Sequence, residues 1–161
     1  MTVIRAATEG DKIAIWTILE PVFRAGDTYA IDPSIGQEDG LAYWFGRPRQ
    51  VFVVEDQGQI LGTYYIVRNQ GGGGSHVCNC GFATAEAARG KGIARQMLTH
   101  ALGTAKDLGF HAMQFNFVVE ANTRAVDTWL RAGFEAVGRL PEAFRHPTLG
   151  PVDALVMYKK L

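Results

Sequence analysis

The segment Arg89-Gly90-Lys91-Gly92-Ile93-Ala94 carries the residue types best suited to holding an anion. The first turn of a helix exposes unpaired backbone N–H groups, and that end of its dipole is positive. Gly90 and Gly92 have no side chains to block close approach, so backbone N–H groups can grip a pyrophosphate. Arg89 and Lys91 add cationic charge. The unit reads as a diphosphate site placed after a strand. It is neither of the two better-known phosphate loops. The pattern Gly-x-x-x-x-Gly-Lys-Ser/Thr is absent, and Gly-x-Gly-x-x-Gly fails at its third glycine, where Arg95 stands. By itself Gly-x-Gly at a helix start is also a common tight turn.

A second set of residues stands out by its surroundings. Asn79 lies between Cys78 and Cys80, and Asn116 between Phe115 and Phe117. Asn is depleted in strands, and a buried amide needs partners. Two such residues in two strands point to a polar pocket, with purely structural amides as the competing reading. The two cysteines share one face if their segment is a strand. A single Cys-x-Cys pair cannot close a zinc site. Buried free thiols are the expectation, and no metal is expected.

These residues need elements to position them. Residues 3–7 read as a first strand. Thr8 caps a helix with Asp11 in its first turn, and Ile15, Trp16, Leu19, Val22 and Phe23 give it an apolar face that ends near Gly26 and Asp27. Leu41, Trp44 and Phe45 predict a second short helix, closed by Gly46 and Pro48. Residues 50–55 and 60–68 form a hairpin. Residues 69–75 are a glycine-rich turn rather than a phosphate loop, because a strand (76–84) and not a helix follows. The next helix carries the stripe Ile93, Met97, Ala101, Ala105 and Leu108 and ends at Gly109. A strand (112–119), a helix (122–131) capped by Gly133, and two strands (134–140 and 152–159) joined by a loop (141–151) complete the chain. The order β-α-α-β-β-β-α-β-α-β-β predicts a mixed α/β sheet, mostly antiparallel, with a central parallel pair and helices on both faces.

At 161 residues the chain is expected to form one domain, residues 1–161. Hydrophobic residues at 47% and charged residues at 20% exclude disorder as the main state. Lys+Arg and Asp+Glu both count 16, so no polyanion-binding surface is implied and nucleic acid is not an expected partner. No secretory leader is visible, and no apolar run approaches the roughly 20 residues needed to span a bilayer. No membrane partner is expected, and the two free cysteines suit a reducing, cytoplasmic location.

Arg89, Gly92 and Ala94 resemble motif A of the GNAT acetyltransferases, Arg/Gln-x-x-Gly-x-Gly/Ala. Asn122-x-x-Ala125, with Trp129 and Gly133-Phe134, resembles motif B, Asn-x-x-Ala-x-x-x-Tyr-x-x-x-Gly-Phe. The two motifs are separated by one helix and one strand, and the element order matches the GNAT fold over nearly the whole chain. The resemblance implies a strand before motif A that carries a bulge and splays from its parallel neighbour, with acetyl-CoA as cosubstrate in the gap. Carried over, Phe82 and Thr84 offer backbone groups to the pantetheine arm. Arg89, Gly90, Lys91, Gly92, Ile93 and Ala94 grip the diphosphate, and Asn122 contacts the arm. A small-molecule amine then attacks the thioester directly, in a ternary complex. Homodimers are common in the family, and no feature of this sequence decides that point.

Trp129 departs from the pattern, because a tyrosine that protonates the departing thiolate is usual there. An indole N–H can donate a hydrogen bond to sulfur but cannot give up its proton, and core packing is its competing role. Tyr64, Tyr65 and Tyr158 are substitutes to consider. The amine must be neutral to attack, so a base is expected. Glu120, just past the second strand of the gap, is the first candidate, followed by His76, Glu86, His111 and His146. The run from Phe115 to Asn122 resembles the branch that includes fungal proline-analogue (azetidine-2-carboxylate) N-acetyltransferases. In that branch asparagines orient the substrate, which implies that Asn79 or Asn116 positions an amino acid. Arg145, in the loop 141–151, is a candidate carboxylate clamp. The alternatives are an acyl-CoA sensor without catalysis, an acetyltransferase acting on a protein amine, and a nucleotide-binding oxidoreductase. The last is disfavoured by the missing third glycine.

Overall fold

The computed structural model describes residues 1–161. The elements are β1 (Thr2–Ala6), α1 (Lys12–Ala25), α2 (Gln37–Phe45), β2 (Gln50–Asp56), β3 (Gln59–Arg68), β4 (Val77–Thr84), α3 (Ile93–Asp107), β5 (Ala112–Val119), α4 (Thr123–Arg131), β6 (Glu135–His146) and β7 (Gly150–Lys160). The seven strands lie in the order β1-β2-β3-β4-β5-β7-β6. Every neighbouring pair is antiparallel except β4 and β5. That pair is joined through α3, because a parallel return needs a crossover.

Strand alternation sorts the side chains into two cores. Tyr64, Ile66, Cys78, Cys80, Met113 and Phe115 point to one face, where Ile93, Met97, Leu98, Ala101 and Ala105 of α3 cover them. Tyr65 and Val53 point to the other, under Ile15, Leu19 and Phe23 of α1 and Trp44 of α2. Both cysteines are buried free thiols. Leu108, expected on the α3 stripe, is 44% exposed because the helix stops one residue earlier and Leu108 serves as its C-cap.

Two expectations need correction. The strand before α3 carries no bulge. The β3–β4 register runs without interruption from Gly62↔Thr84 to Arg68↔Cys78, and the break lies instead in β5, between Phe115 and Val118 against β7. The expected loop 141–151 is mostly strand, since β6 continues to His146 and β7 starts at Gly150. Pro141 and Pro151 bound the expected loop, but Pro141 lies on the edge strand β6 and Pro151 at the start of β7, two places where proline is tolerated. A register shift between Leu140 and Phe144, with Glu142 at φ 51°, absorbs the irregularity and lets Phe144 pack against Phe117.

Candidate functional site

The turn into α3 leaves most of its backbone donors unpaired within the chain. Gly90 and Gly92 both sit at φ 78°, a left-handed conformation that side chains resist. A Cβ on Gly90 would meet nothing within 4 Å, and one on Gly92 would meet only the Arg95 guanidinium at 3.7 Å. The glycines therefore serve conformation and clearance, not packing. The first intrahelical bond runs from Gln96 N–H to Gly92 C=O at 3.0 Å, and no side chain caps the helix. The N–H groups of Gly90, Gly92, Ile93, Ala94 and Arg95 are left without intrachain backbone partners. Arg89 and Lys91 are exposed, as is Arg95, and none of the three is in an ion pair. Arg95 was legible only as a missing glycine, whereas in the fold it supplies a third cation beside the turn.

Behind this turn the sheet opens. β4 and β5 pair only at Val77↔Ala112 and Cys78↔Met113, next to a bond from His111 N–H to His76 C=O. Ala85 N–H bonds to Leu61 C=O, and Asn69 N–H to Val77 C=O, both at 2.8 Å. Hydrogen-bonded pairs alternate along an antiparallel ladder. The odd-numbered residues of β4 therefore bond to β3, while the backbone groups of Phe82 and Thr84 face β5 across the open stretch and have no strand partner. Phe82 C=O accepts a hydrogen bond from the Tyr29 hydroxyl at 2.8 Å. Trp129 on α4 touches both splayed strands, with ring centroids 5.3 Å from Phe82 and 4.8 Å from Phe115. Its observed contacts are packing contacts.

The asparagines differ from expectation. Alternation sends Cys78, Cys80, Met113 and Phe115 into the α3 core, so Asn79 and Asn116 face the opposite side. Asn79 is half-buried without a hydrogen-bond partner, and Asn116 is exposed. Asn116 Nδ2 donates to Asn69 Oδ1 at 2.6 Å, and Gln114 Nε2 donates to Asn116 Oδ1 at 2.8 Å. They form a half-open amide row rather than a closed polar pocket.

Beside this row lies an aromatic cluster in which the sequence singled out Tyr65 but not Tyr29, Tyr43 or Arg49. The Tyr65 ring crosses Gly81, where a Cβ would come within 2.2 Å of it. The Arg49 guanidinium lies 4.3 Å from the Tyr43 ring centroid and 4.1 Å from that of Tyr65, and no acid pairs with it. Burial, then the neighbouring Tyr65 and Tyr43, hold the Tyr29 hydroxyl well above the ordinary phenol range, so it is a hydrogen-bond donor. Tyr64 points into the α3 core, where its hydroxyl meets His100 Nδ1 at 2.7 Å. Tyr158 lies two strands from β4. Of the tyrosines, Tyr29 is the one bonded to the gap-facing backbone.

The remaining candidates disperse. Glu120 is held by Arg139, which also pairs with Asp153 at 2.8 Å, in an exposed network beyond the end of β5. His76 and His111 are exposed where β4 and β5 meet, at the closed end of the gap. Glu86 is exposed on the turn after β4, and Arg145 is exposed on β6. Asn122 caps α4 by accepting Ala125 N–H at 3.4 Å, which leaves its Nδ2 without an intrachain partner. No group of three or more His, Cys, Asp and Glu side chains is placed to hold a metal ion. No helix is long and apolar enough to cross a membrane.

Comparison with known proteins matches residues 13–134 to the acetyltransferase (GNAT) family. N-acetyltransferase aca1 of Schizosaccharomyces pombe is 36% identical over 86 residues, which is 53% of this chain. The matched stretch is 41% of that relative's length. A GCN5-related N-acetyltransferase from Kribbella flavida superposes with a TM-score of 0.94 at 38% identity, over 99% of this chain and 98% of that one. The structure of yncA from Salmonella typhimurium, solved with its cofactor acetyl-CoA, has a TM-score of 0.86 at 21% identity over 100% and 94% of the two chains. At that identity the likeness is one of fold.

Proposed function

Because the chain belongs to the acetyltransferase (GNAT) family, we propose that it moves an acetyl group from acetyl-CoA to the amine of a small molecule, in the class of amino acids and their analogues. The observation that carries this reading is the pairing of two sets of backbone groups that have no helix or strand partner, Phe82 C=O being bonded only by the Tyr29 hydroxyl. Five N–H groups at the turn into α3 suit a diphosphate. The backbone of Phe82 and Thr84 suits an extended arm laid along β4 as an added strand.

Acetyl-CoA supplies an activated thioester, and the chain's residues bind and orient. Arg89, Lys91 and Arg95 add charge around the diphosphate, and Asn122 Nδ2 is free to reach the arm from α4. Asn79 and Asn116 lie on the face from which an amine would approach, and they orient it. Glu120, the first candidate base, is held by Arg139, so the amine's proton leaves through water. Tyr29 donates its one hydroxyl hydrogen to Phe82 C=O and so fixes that carbonyl, leaving water to protonate the departing sulfur. The reading places the enzyme in the cytoplasm.

The packing of Trp129 between Phe82 and Phe115 favours one second reading, an acyl-CoA sensor that does not turn over. CoA-thiol release from acetyl-CoA with a panel of small amines, proline analogues included, separates the two. Turnover that is lost in Gly92→Trp supports the enzyme. Acetyl-CoA binding without turnover supports the sensor. Absence of binding to the wild type refutes both.

A further inference from the structure

A row of aromatic rings crosses the α3 face of the sheet, one from each of four neighbouring strands: Phe52, Tyr64, Phe82 and Phe115. The first three stand directly opposite one another, at Phe52↔Tyr64 and Tyr64↔Phe82. Their ring centroids are 4.9 and 5.6 Å apart. Phe82 and Phe115 share no register, because β4 and β5 have parted by that level, yet their centroids are 6.1 Å apart. Trp129 sits astride this wider step, 5.3 Å from Phe82 and 4.8 Å from Phe115. Phe134 stacks on Phe115 at 4.5 Å. The gap is therefore open between the two backbones and shut by side chains on its α3 face.

α4 buries none of its residues fully. Val126 and Trp129 are the two that pack against this core, and Leu130 beside them is 50% exposed. Trp129 stays half-buried, as a ring does when it lines a cleft rather than fills a core. An arm laid along β4 from the turn at 90–95 runs back past Thr84 and Phe82 toward the point where β4 and β5 join. Its acyl end then has three ways to extend. The pairs Val77↔Ala112 and Cys78↔Met113 block the way forward. The face that carries Asn79 and Asn116 is the one the amine needs. The third way leads between Phe82 and Phe115, and Trp129 fills it. A close-packed wall of rings admits no extra carbon without displacing one of them.

We propose that Trp129 sets the length of the acyl group: its indole, braced by Phe82 and Phe115, takes the space into which a chain longer than acetyl would run. Trp129 is then a specificity-determining residue for the acyl donor, a role that asks for bulk and not for a proton. The inference rests on the acetyl-transfer reading above and adds which acyl thioesters serve as donors.

The test titrates acetyl-, butyryl- and hexanoyl-CoA by calorimetry into the wild type, Trp129→Leu and Trp129→Ala. CoA-thiol release from each thioester is measured with the small-amine panel. Trp129→Leu keeps an apolar side chain on α4 in case the alanine variant does not fold. In the wild type, affinity should not rise from acetyl to hexanoyl, because the added methylenes find no apolar pocket. Its kcat/KM should be lower for butyryl-CoA than for acetyl-CoA by about tenfold or more. Trp129→Ala should reverse the order and bind butyryl-CoA about tenfold more tightly than acetyl-CoA, near the about fourfold expected for each buried methylene. Trp129→Leu should fall between the two. A tryptophan that only packs would lower the melting temperature of both variants and leave the order of the three thioesters as it was, and that result overturns the inference. Wild-type affinity that climbs with each methylene overturns it too, and needs no variant to fold. Equal turnover of acetyl- and butyryl-CoA by the wild type does the same and leaves the acyltransferase standing. Chain-length selectivity in binding that the substitutions shift, without turnover of any thioester, keeps the role of Trp129 and sinks the enzyme reading. Absence of binding of every thioester to the wild type sinks both.

Discussion

The two halves of the candidate site are built in opposite ways. The cofactor half is one contiguous run, residues 89–95, in which two glycines at φ 78° and a helix start leave five amides free. The acceptor half is gathered from five stretches of chain: Tyr29, Tyr43–Arg49, Tyr65, Asn79 and Gln114–Asn116. The first half owes its geometry to local backbone preference. The second exists only once α1, α2, β3, β4 and β5 have docked. A contiguous site tolerates change elsewhere, whereas a gathered site depends on every element that holds a piece of it.

That contrast can be broken most forcefully at Gly92. Gly92→Trp forces a side chain onto a left-handed residue and into the space before the free amides. Acetyl-CoA affinity should fall by about 100-fold or more, roughly 3 kcal/mol, while the melting temperature stays within a few degrees. Titration calorimetry and a thermal melt check both. If affinity survives, the diphosphate does not sit at this turn. Asn79→Ala addresses the other half. The KM for the acceptor should rise about tenfold, the worth of one or two hydrogen bonds, with acetyl-CoA binding unchanged. An equal loss of both affinities would show that the halves are not separable.

Smaller effects sharpen the comparison. Replacing Arg89, Lys91 or Arg95 singly by Gln should weaken acetyl-CoA about three- to fivefold, less at high salt, because exposed charges are screened. A salt titration of the dissociation constant reads this directly, and an acceptor-side change such as Asn79→Ala should show no such salt dependence.

The smallest effect concerns the support of the acceptor half. Asp11 accepts Thr8 N–H at 2.7 Å and pairs with Arg5 at 2.8 Å at the foot of α1. Arg5 holds its carboxyl down to about 2 against pull in the other direction from burial. A carboxyl lowered on folding stabilises above its unfolded value near 4 and loses that contribution as pH falls toward 2. Asp11→Asn should cost about 1–2 kcal/mol at neutral pH, and the difference from wild type should vanish in that acid window. Denaturant melts at pH 7 and pH 2.5 would test it.

Much of the fold was legible because its signals are short-ranged. The stripe from Ile93 to Ala105, the hairpin around 56–59 and the cap at Gly133 each follow from a few neighbouring residues. The expected loop 141–151 misled because Pro141 and Pro151 look like breakers unless one knows that Pro141 falls on an edge strand and Pro151 at the start of the next strand. The cysteine and asparagine alternation was read correctly as a two-faced strand. The cysteine face was read correctly as buried, but the opposite face was also expected to close over a pocket, and Asn116 lies there on an exposed row. Arg145 drew attention as a cation in a presumed loop and sits exposed on β6, while Arg49 passed unnoticed because nothing near it in sequence predicts two tyrosines against its guanidinium.

The residue order by itself determined the strand-helix alternation, the parallel crossover through α3 and the glycine turn with its free amides. Each rests on backbone preferences that span a handful of residues. Only the tertiary structure decided where β4 and β5 part, that Tyr29 reaches Phe82, and that Thr28 and His146 share a cavity. Those relations join residues about 35 to 120 positions apart, and no local preference encodes them. They arise when two apolar cores close on opposite faces of one sheet.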